Sequence, residues 1–73
     1  MGYPAATFAL ATLYHFVDAM PQNLKQAASL YEAAYNNGVT LAARGLAILY
    51  EDFSFGNYNH ELAKEWLKKF EGL

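Results

Sequence analysis

Two stretches of this chain repeat one another at a fixed offset of 36 residues. The first reads GYPAATFALATLY (residues 2–14) and the second reads GVTLAARGLAILY (residues 38–50). The correspondence extends further, since Asn23 lies 36 residues before Asn59, and the two halves align without a gap. A constant period of roughly 20–50 residues is typical of proteins in which one supersecondary unit stacks on its own copy. The repeat is therefore the strongest constraint on the fold.

The apolar residues within each stretch recur at i, i+4, i+7 and i+8, which places them on one face of an α-helix. They are Ala6, Leu10, Leu13 and Tyr14 in the first copy and Ala42, Leu46, Leu49 and Tyr50 in the second. We expect this stripe to face the core in both copies. A second helix follows in each copy, and Asn23 and Asn59 are its expected N-caps. Gly38 is expected just beyond a helix end, where a left-handed backbone favours glycine.

These patterns predict one all-α domain over residues 1–73. The first repeat covers about 2–37 and the second covers about 38–73. Each repeat supplies one helix-turn-helix hairpin, and the four helices stack as a short α-solenoid. Alanines along the helices let the backbones of neighbouring helices approach closely.

The order Ala-x-x-x-Leu-Ala-x-Leu-Tyr, a loop, and then Asn-x-x-x-Ala resembles the Sel-1-like repeat, a relative of the tetratricopeptide repeat. The matching residues are Ala6, Leu10, Ala11, Leu13, Tyr14, Asn23, Ala27, Leu30, Tyr31, Ala34 and Gly38, then Ala42, Leu46, Ala47, Leu49, Tyr50, Asn59, Ala63 and Trp66. The resemblance implies a right-handed tetratricopeptide-like solenoid. It also implies a non-enzymatic adaptor, whole or part of a longer protein, that binds another protein or peptide. The residues that stand where the family usually has loop glycines are Val17, Ala19, Phe53 and Phe55.

The charge and composition exclude several classes of partner. A net charge of −2 and a pI near 5.5 provide no basic surface for nucleic acid or for an anionic membrane. A membrane-spanning helix needs about 20 apolar residues, and the uncharged run from Met1 to Val17 is shorter than that. The chain has no cysteine, and so it lacks the disulfides of most small secreted domains. We therefore expect a soluble, cytoplasmic protein.

Residues that could carry out chemistry are sparse. His15 and His60 are 45 residues apart, and we expect both to be solvated rather than to bind metal. Glu51 and Asp52 are adjacent, so their side chains diverge by about 100° on a helix and do not form a carboxylate pair. A hydrolase would need a nucleophile–base pair, which the sequence does not show. We predict no catalytic residue, no metal site and no cofactor.

The expected contact surface is the concave side of the solenoid, which the first helix of each repeat lines in proteins of this type. Positions outside the apolar stripe are Phe8, Thr12, His15 and Phe16 in the first copy and Arg44, Ile48, Glu51 and Asp52 in the second. They predict a shallow groove in which aromatic and aliphatic anchors lie beside charged groups. The alternative is that Phe8 and Phe16 pack inside the domain.

The first helix has no charged residue before Asp18, whereas the last helix has a charged face. A helix without a polar face is usually buried, and a terminal repeat usually needs a polar outer surface. We therefore expect a second copy of the chain, a further repeat upstream or a dedicated partner to cover the first helix. An alternative function is a small stand-alone inhibitor of the immunity or antitoxin type, which would cap one cognate effector protein.

Overall fold

The computed structural model of the protein describes residues 3–52, 55–56 and 58–72. These residues form four α-helices and no β-strand. The helices are α1 (Pro4–Thr12), α2 (Pro21–Asn36), α3 (Leu41–Tyr50) and α4 (His60–Glu71). A π-helical segment, Leu13–Val17, continues α1 directly. The prediction of an all-α fold with four helices is confirmed for this described part of the chain.

Helices that follow one another in the sequence are neighbours in space. α1 packs against α2, α2 packs against α3, and α3 packs against α4. The body is flattened, and its Cα atoms extend over 29 × 28 × 15 Å. As a result α2 and α3 each lie between two helices, whereas α1 and α4 each have one main helical neighbour.

Two of the predicted helix boundaries are confirmed. The side-chain oxygen of Asn59 accepts a hydrogen bond of 3.0 Å from the Leu62 backbone N–H, and this caps the first turn of α4. Gly38 follows the end of α2 with φ of +103°, a left-handed conformation in which a side chain would be strained. Both features depend on a few adjacent residues, which is why they could be predicted from the sequence.

The predicted N-cap at Asn23 is wrong. α2 begins two residues earlier, at Pro21, whose ring suits the first turn because proline has no N–H that needs a partner there. Asn23 therefore lies within the first turn of α2. Its side-chain amide donates to the backbone oxygen of Asp18 at 2.9 Å, so it holds the preceding loop instead of capping the helix.

The hydrophobic core lies on both sides of α2. Its largest buried members include Tyr31, Phe55, Leu24, Leu46 and Leu49. Tyr31 is fully buried, and its ring centroid lies 5.8 Å from that of Phe8. Tyr31 also meets Gly45 of α3 so closely that a Cβ atom at that glycine would lie 2.5 Å from the tyrosine ring. Glycine at this position lets the backbone of α3 approach the side chain from α2.

The predicted core stripe is right for α3 and wrong for α1. Leu46 and Leu49 are fully buried, whereas Leu10 and Leu13 at the equivalent positions are 41% and 45% exposed. α3 lies between two helices, but no described helix packs against the equivalent face of α1. α1 instead buries Ala11, which belongs to the same core cluster as the residues of α2.

The first hairpin turns without a left-handed residue. The Asp18 N–H donates to the Leu13 oxygen at 2.9 Å, five residues back, which is the hydrogen bond of a π-helix. Among the described residues, positive φ values occur only at glycines. Val17 and Ala19, for which the resemblance predicted glycine positions, therefore adopt no left-handed conformation in this turn.

In the second hairpin, the loop after α3 is anchored by an aromatic residue. Phe55 is 2% exposed, and its ring centroid lies 5.4 Å from that of Tyr50. Phe55, which stands at a position where the resemblance predicted a loop glycine, thus belongs to the core. Phe53, the other such residue, lies outside the described residues.

Candidate interaction groove

A groove of about 290 Å³ lies between α1 and α3. Its lining residues are Phe8, Thr12, Phe16, Tyr31, Leu41, Arg44, Gly45 and Ile48. Five of the eight predicted site residues are therefore brought together here, although they come from both copies of the repeat. Phe16 is 62% exposed, so it does not pack inside the domain, whereas Phe8 is half-buried against the core.

A second groove, of about 350 Å³, lies between α3 and α4. Its lining residues are Arg44, Ala47, Ile48, Glu51, Ala63, Lys64 and Leu67. Arg44 and Ile48 line both grooves, because they lie on the exposed side of α3 between α1 and α4. The two grooves therefore form one surface, which we call the α1–α3–α4 groove.

Some of the charged side chains on this surface have an ion-pair partner and others do not. Glu51 is paired with His60, whose Nδ1 lies 2.7 Å from the carboxylate Oε2. Within the described part of the chain, neither Arg44 nor Lys64 has an ion-pair partner. The α1–α3–α4 groove thus combines an apolar floor with two cations that are available to a ligand.

His15 is not part of this surface, and the prediction that it is solvated is wrong. Its side chain is 5% exposed, and its Nδ1 lies 2.8 Å from the Tyr31 hydroxyl oxygen. The two rings meet edge to face, with centroids 5.6 Å apart. The π-helical segment carries His15, and there the ring packs against α2 rather than facing a partner.

The His15–Tyr31 pair is neutral. Burial raises the pKa of the Tyr31 hydroxyl to about 12, so the hydroxyl keeps its proton. Burial also lowers the pKa of His15 below its ordinary value of 6.5, and the negative charge of Asp52 opposes this shift. Asp52 is half-buried and lines neither groove.

We expect the stability of the fold to fall as the pH is lowered below about 6.5, because burial lowers the pKa of His15 in the folded chain. The unfolded chain takes up a proton at His15 below pH 6.5, whereas the folded chain does so only at its lower pKa. The contribution of neutral His15 to the free energy of unfolding is therefore fully present above pH 6.5. It is lost as the pH falls towards the pKa of His15 in the folded chain, at up to about 1.4 kcal/mol per pH unit. Urea unfolding at several pH values measures this slope.

The matched control for that measurement is His60, which is exposed at the start of α4. His15→Gln should flatten the pH dependence, whatever it does to the overall stability. His60→Gln should leave the His15 contribution in place. An unchanged slope in His15→Gln would contradict the assignment.

The sequence patterns missed the residues that shape the base of the groove. Tyr31 was noted only as a residue matching the Sel-1-like pattern, and its position beneath the groove depends on Gly45, which no pattern singled out. One signal was present, because glycine in the interior of a helix costs about 1 kcal/mol relative to alanine and so usually has a packing reason. The last helix was expected to carry a charged face, but neither Lys64 nor Leu67 was expected at a contact surface, and both line the second groove.

Comparison with protein-family models, with curated proteins and with solved structures found no match. The resemblance to the Sel-1-like repeat therefore stays a prediction from the residues. Within the residues that the structure describes, none of the helices combines the length and the apolar character that a membrane crossing requires. The same residues contain no cluster of three or more side chains suited to hold a metal ion.

Proposed function

We propose that this chain is a non-enzymatic interaction module, built as a pair of stacked Sel-1-like helical repeats, that binds a segment of another protein. The observation that carries the proposal is the α1–α3–α4 groove. It runs across helices from both repeats, and the residues shared by its two parts are Arg44 and Ile48. Such a surface is expected of an adaptor that reads a short segment of its partner.

The exposed apolar side chains supply the anchors. Phe16, Ile48 and Leu67 are 62%, 43% and 42% exposed, and each lines part of the groove. Burying such side chains under a partner removes apolar surface from water, and interface anchors of this kind carry most of the binding energy. The Phe16 ring stacks on the His15 ring, with centroids 4.0 Å apart, and this contact restrains the Phe16 side chain.

The unpaired cations specify the partner further. Arg44 lies between the two parts of the groove, and Lys64 lies at the edge formed by α4. An arginine binds a carboxylate with two parallel hydrogen bonds, so it favours an acidic group in a defined orientation. The expected ligand is an extended or helical segment with apolar side chains and at least one carboxylate.

Selection from a library of random peptides displayed on phage tests this proposal. We expect enriched peptides to combine apolar residues with Asp or Glu. Ile48→Asp should weaken the binding of an enriched peptide by at least about tenfold, the effect of losing one anchor worth about 1.4 kcal/mol. Arg44→Glu should remove the preference for acidic peptides.

The matched control is Met20→Asp, because Met20 is 52% exposed and lines neither groove. This variant should bind an enriched peptide as the original chain does. The proposal is wrong if no peptide is enriched, or if the enriched peptides bind the Ile48→Asp and Met20→Asp variants equally well.

A further inference from the structure

One face of α1 and its π-helical extension is apolar and uncovered. We call it the α1 stripe, and its residues are Ala6, Leu10, Leu13 and Val17. Ala6 is exposed, and Leu10, Leu13 and Val17 are 41%, 45% and 77% exposed. This stripe is separate from the α1–α3–α4 groove, whose lining includes none of these four residues.

The internal repeat shows what such a stripe does when it is covered. At the equivalent positions of α3, 36 residues later, Ala42, Leu46 and Leu49 are fully buried. They belong to one core cluster with residues of α2, the helix that packs against α3. These residues are therefore a helix-packing surface in the second copy, and in the first copy Ala6, Leu10 and Leu13 have the same types and spacing.

Charge decides which helix of this protein could cover the α1 stripe in a second molecule. α4 is the other terminal helix, and Lys64 and Lys68 are exposed on it beside Leu67. Packing α4 on the stripe would remove lysines from water opposite a surface that offers no carboxylate, which is unfavourable. α1 itself has no charged residue from Tyr3 to Val17, and so two stripes can meet without burying a charge.

We propose that two copies of this chain associate through their α1 stripes as a two-fold symmetric dimer. The same surface is used on both copies, so the contact closes on itself and does not extend into a fibre. In this arrangement Leu10 and Leu13 of each copy pack against the α1 stripe of the other. The α1–α3–α4 grooves of both copies stay open, so the dimer presents two binding sites for its partners.

Sedimentation equilibrium of the full chain over a range of concentrations, up to the sub-millimolar range, tests the proposal. The mass should rise from 8.2 kDa towards twice that value as the concentration increases. Leu10→Glu and Leu13→Glu should each remain monomeric, because both bury a carboxylate in the seam. Leu67→Glu is the matched control, since Leu67 is 42% exposed on α4, and this variant should dimerise like the original chain.

The helix content of each variant, measured by far-ultraviolet circular dichroism, shows whether the loss of the dimer is accompanied by unfolding. The positions are already exposed, so we expect the helix content to be unchanged. A chain that is monomeric at every concentration overturns the proposal. It is also overturned if Leu67→Glu abolishes the dimer while Leu10→Glu preserves it, or if the mass grows without limit as in a head-to-tail assembly.

Discussion

Leu46→Ala is expected to lower the free energy of unfolding by about 2–5 kcal/mol, whereas Leu10→Ala changes it by less than about 0.5 kcal/mol. The two leucines occupy the same position of the repeat, 36 residues apart. Leu46 is fully buried between α2 and α3, so its removal leaves a cavity in addition to the lost transfer of apolar atoms out of water. Leu10 is 41% exposed, and water can fill the space that its side chain leaves.

The size of the first effect is a large share of the total stability. A domain of this length has roughly 4–11 kcal/mol of stability at the typical values per residue, so Leu46→Ala removes much of it. Urea unfolding of both variants at low protein concentration, where two copies do not pair, measures the difference. Equal losses for the two variants would contradict the arrangement in which Leu46 of α3 is covered by its neighbours while Leu10 of α1 is partly exposed.

The same pair of variants also reports on self-association. At concentrations where the α1 stripes pair, Leu10 becomes buried between two copies, so Leu10→Ala should then destabilise the assembly. Leu46→Ala should have a similar effect at low and high concentration, because its surroundings lie within one copy.

Gly45→Ala is the second variant with a large expected effect. We expect it to destabilise the fold, whereas glycine-to-alanine substitutions inside a helix usually stabilise it. Replacing an exposed glycine by alanine in the interior of a helix stabilises the helix by about 1 kcal/mol. At Gly45 the new Cβ atom would lie 2.5 Å from Cε1 of Tyr31, which is far inside van der Waals contact. We expect a net destabilisation of about 1–3 kcal/mol, because overpacking outweighs the gain in helix propensity.

The ring of Tyr31 cannot move away at low cost. It is fully buried, its hydroxyl is hydrogen-bonded to His15, and its ring packs against Phe8. α2 and α3 must therefore separate, and this shift also distorts the base of the α1–α3–α4 groove. Peptide binding should weaken together with stability.

Gly56→Ala is the matched control for Gly45→Ala. A Cβ atom at Gly56 would meet no other atom within 4 Å, and its φ is not in the left-handed region. We expect this variant to unfold at the same urea concentration as the original chain, to within about 0.5 kcal/mol. If Gly45→Ala were as stable as the original chain or more stable, the close approach of α3 to Tyr31 would be wrong.

A second test combines Gly45→Ala with Tyr31→Leu. Leucine has no aromatic ring beside position 45, so the alanine should be tolerated better in this background. The two changes should then cost less together than the sum of their separate effects, which is the sign of direct contact between the positions. Additive effects would place the source of the destabilisation elsewhere.

The local features of this protein follow from short segments of sequence. The four helices follow from the spacing of the apolar residues, since one helix turn brings residues three and four apart onto the same face. The cap at Asn59 and the left-handed Gly38 follow from the chemistry of one or two residues at a helix end. The prediction for Asn23 failed because Pro21 competes as a start signal two residues earlier.

The candidate groove was predicted in part. Phe8, Thr12 and Phe16 and the α3 residues Arg44 and Ile48 were expected on one surface, and the structure places them along one groove. His15 was misplaced, since its partner Tyr31 is 16 residues away on another helix and no spacing rule links the two. Lys64 and Leu67 were missed because their place beside α3 depends on how α4 packs.

The sequence by itself shows the match between residues 2–14 and 38–50. It also determined the helical class, the start of α4 and the end of α2, because these depend on residues within a turn or two of one another. Only the tertiary structure decided which copy of the Leu/Ala stripe is buried. Leu10 and Leu46 occupy the same position of the i, i+4, i+7, i+8 pattern. However, α3 packs against a helix on each side, whereas α1 has one main helical neighbour. Burial is a property of what lies across the interface, and a pattern within one helix does not contain that information.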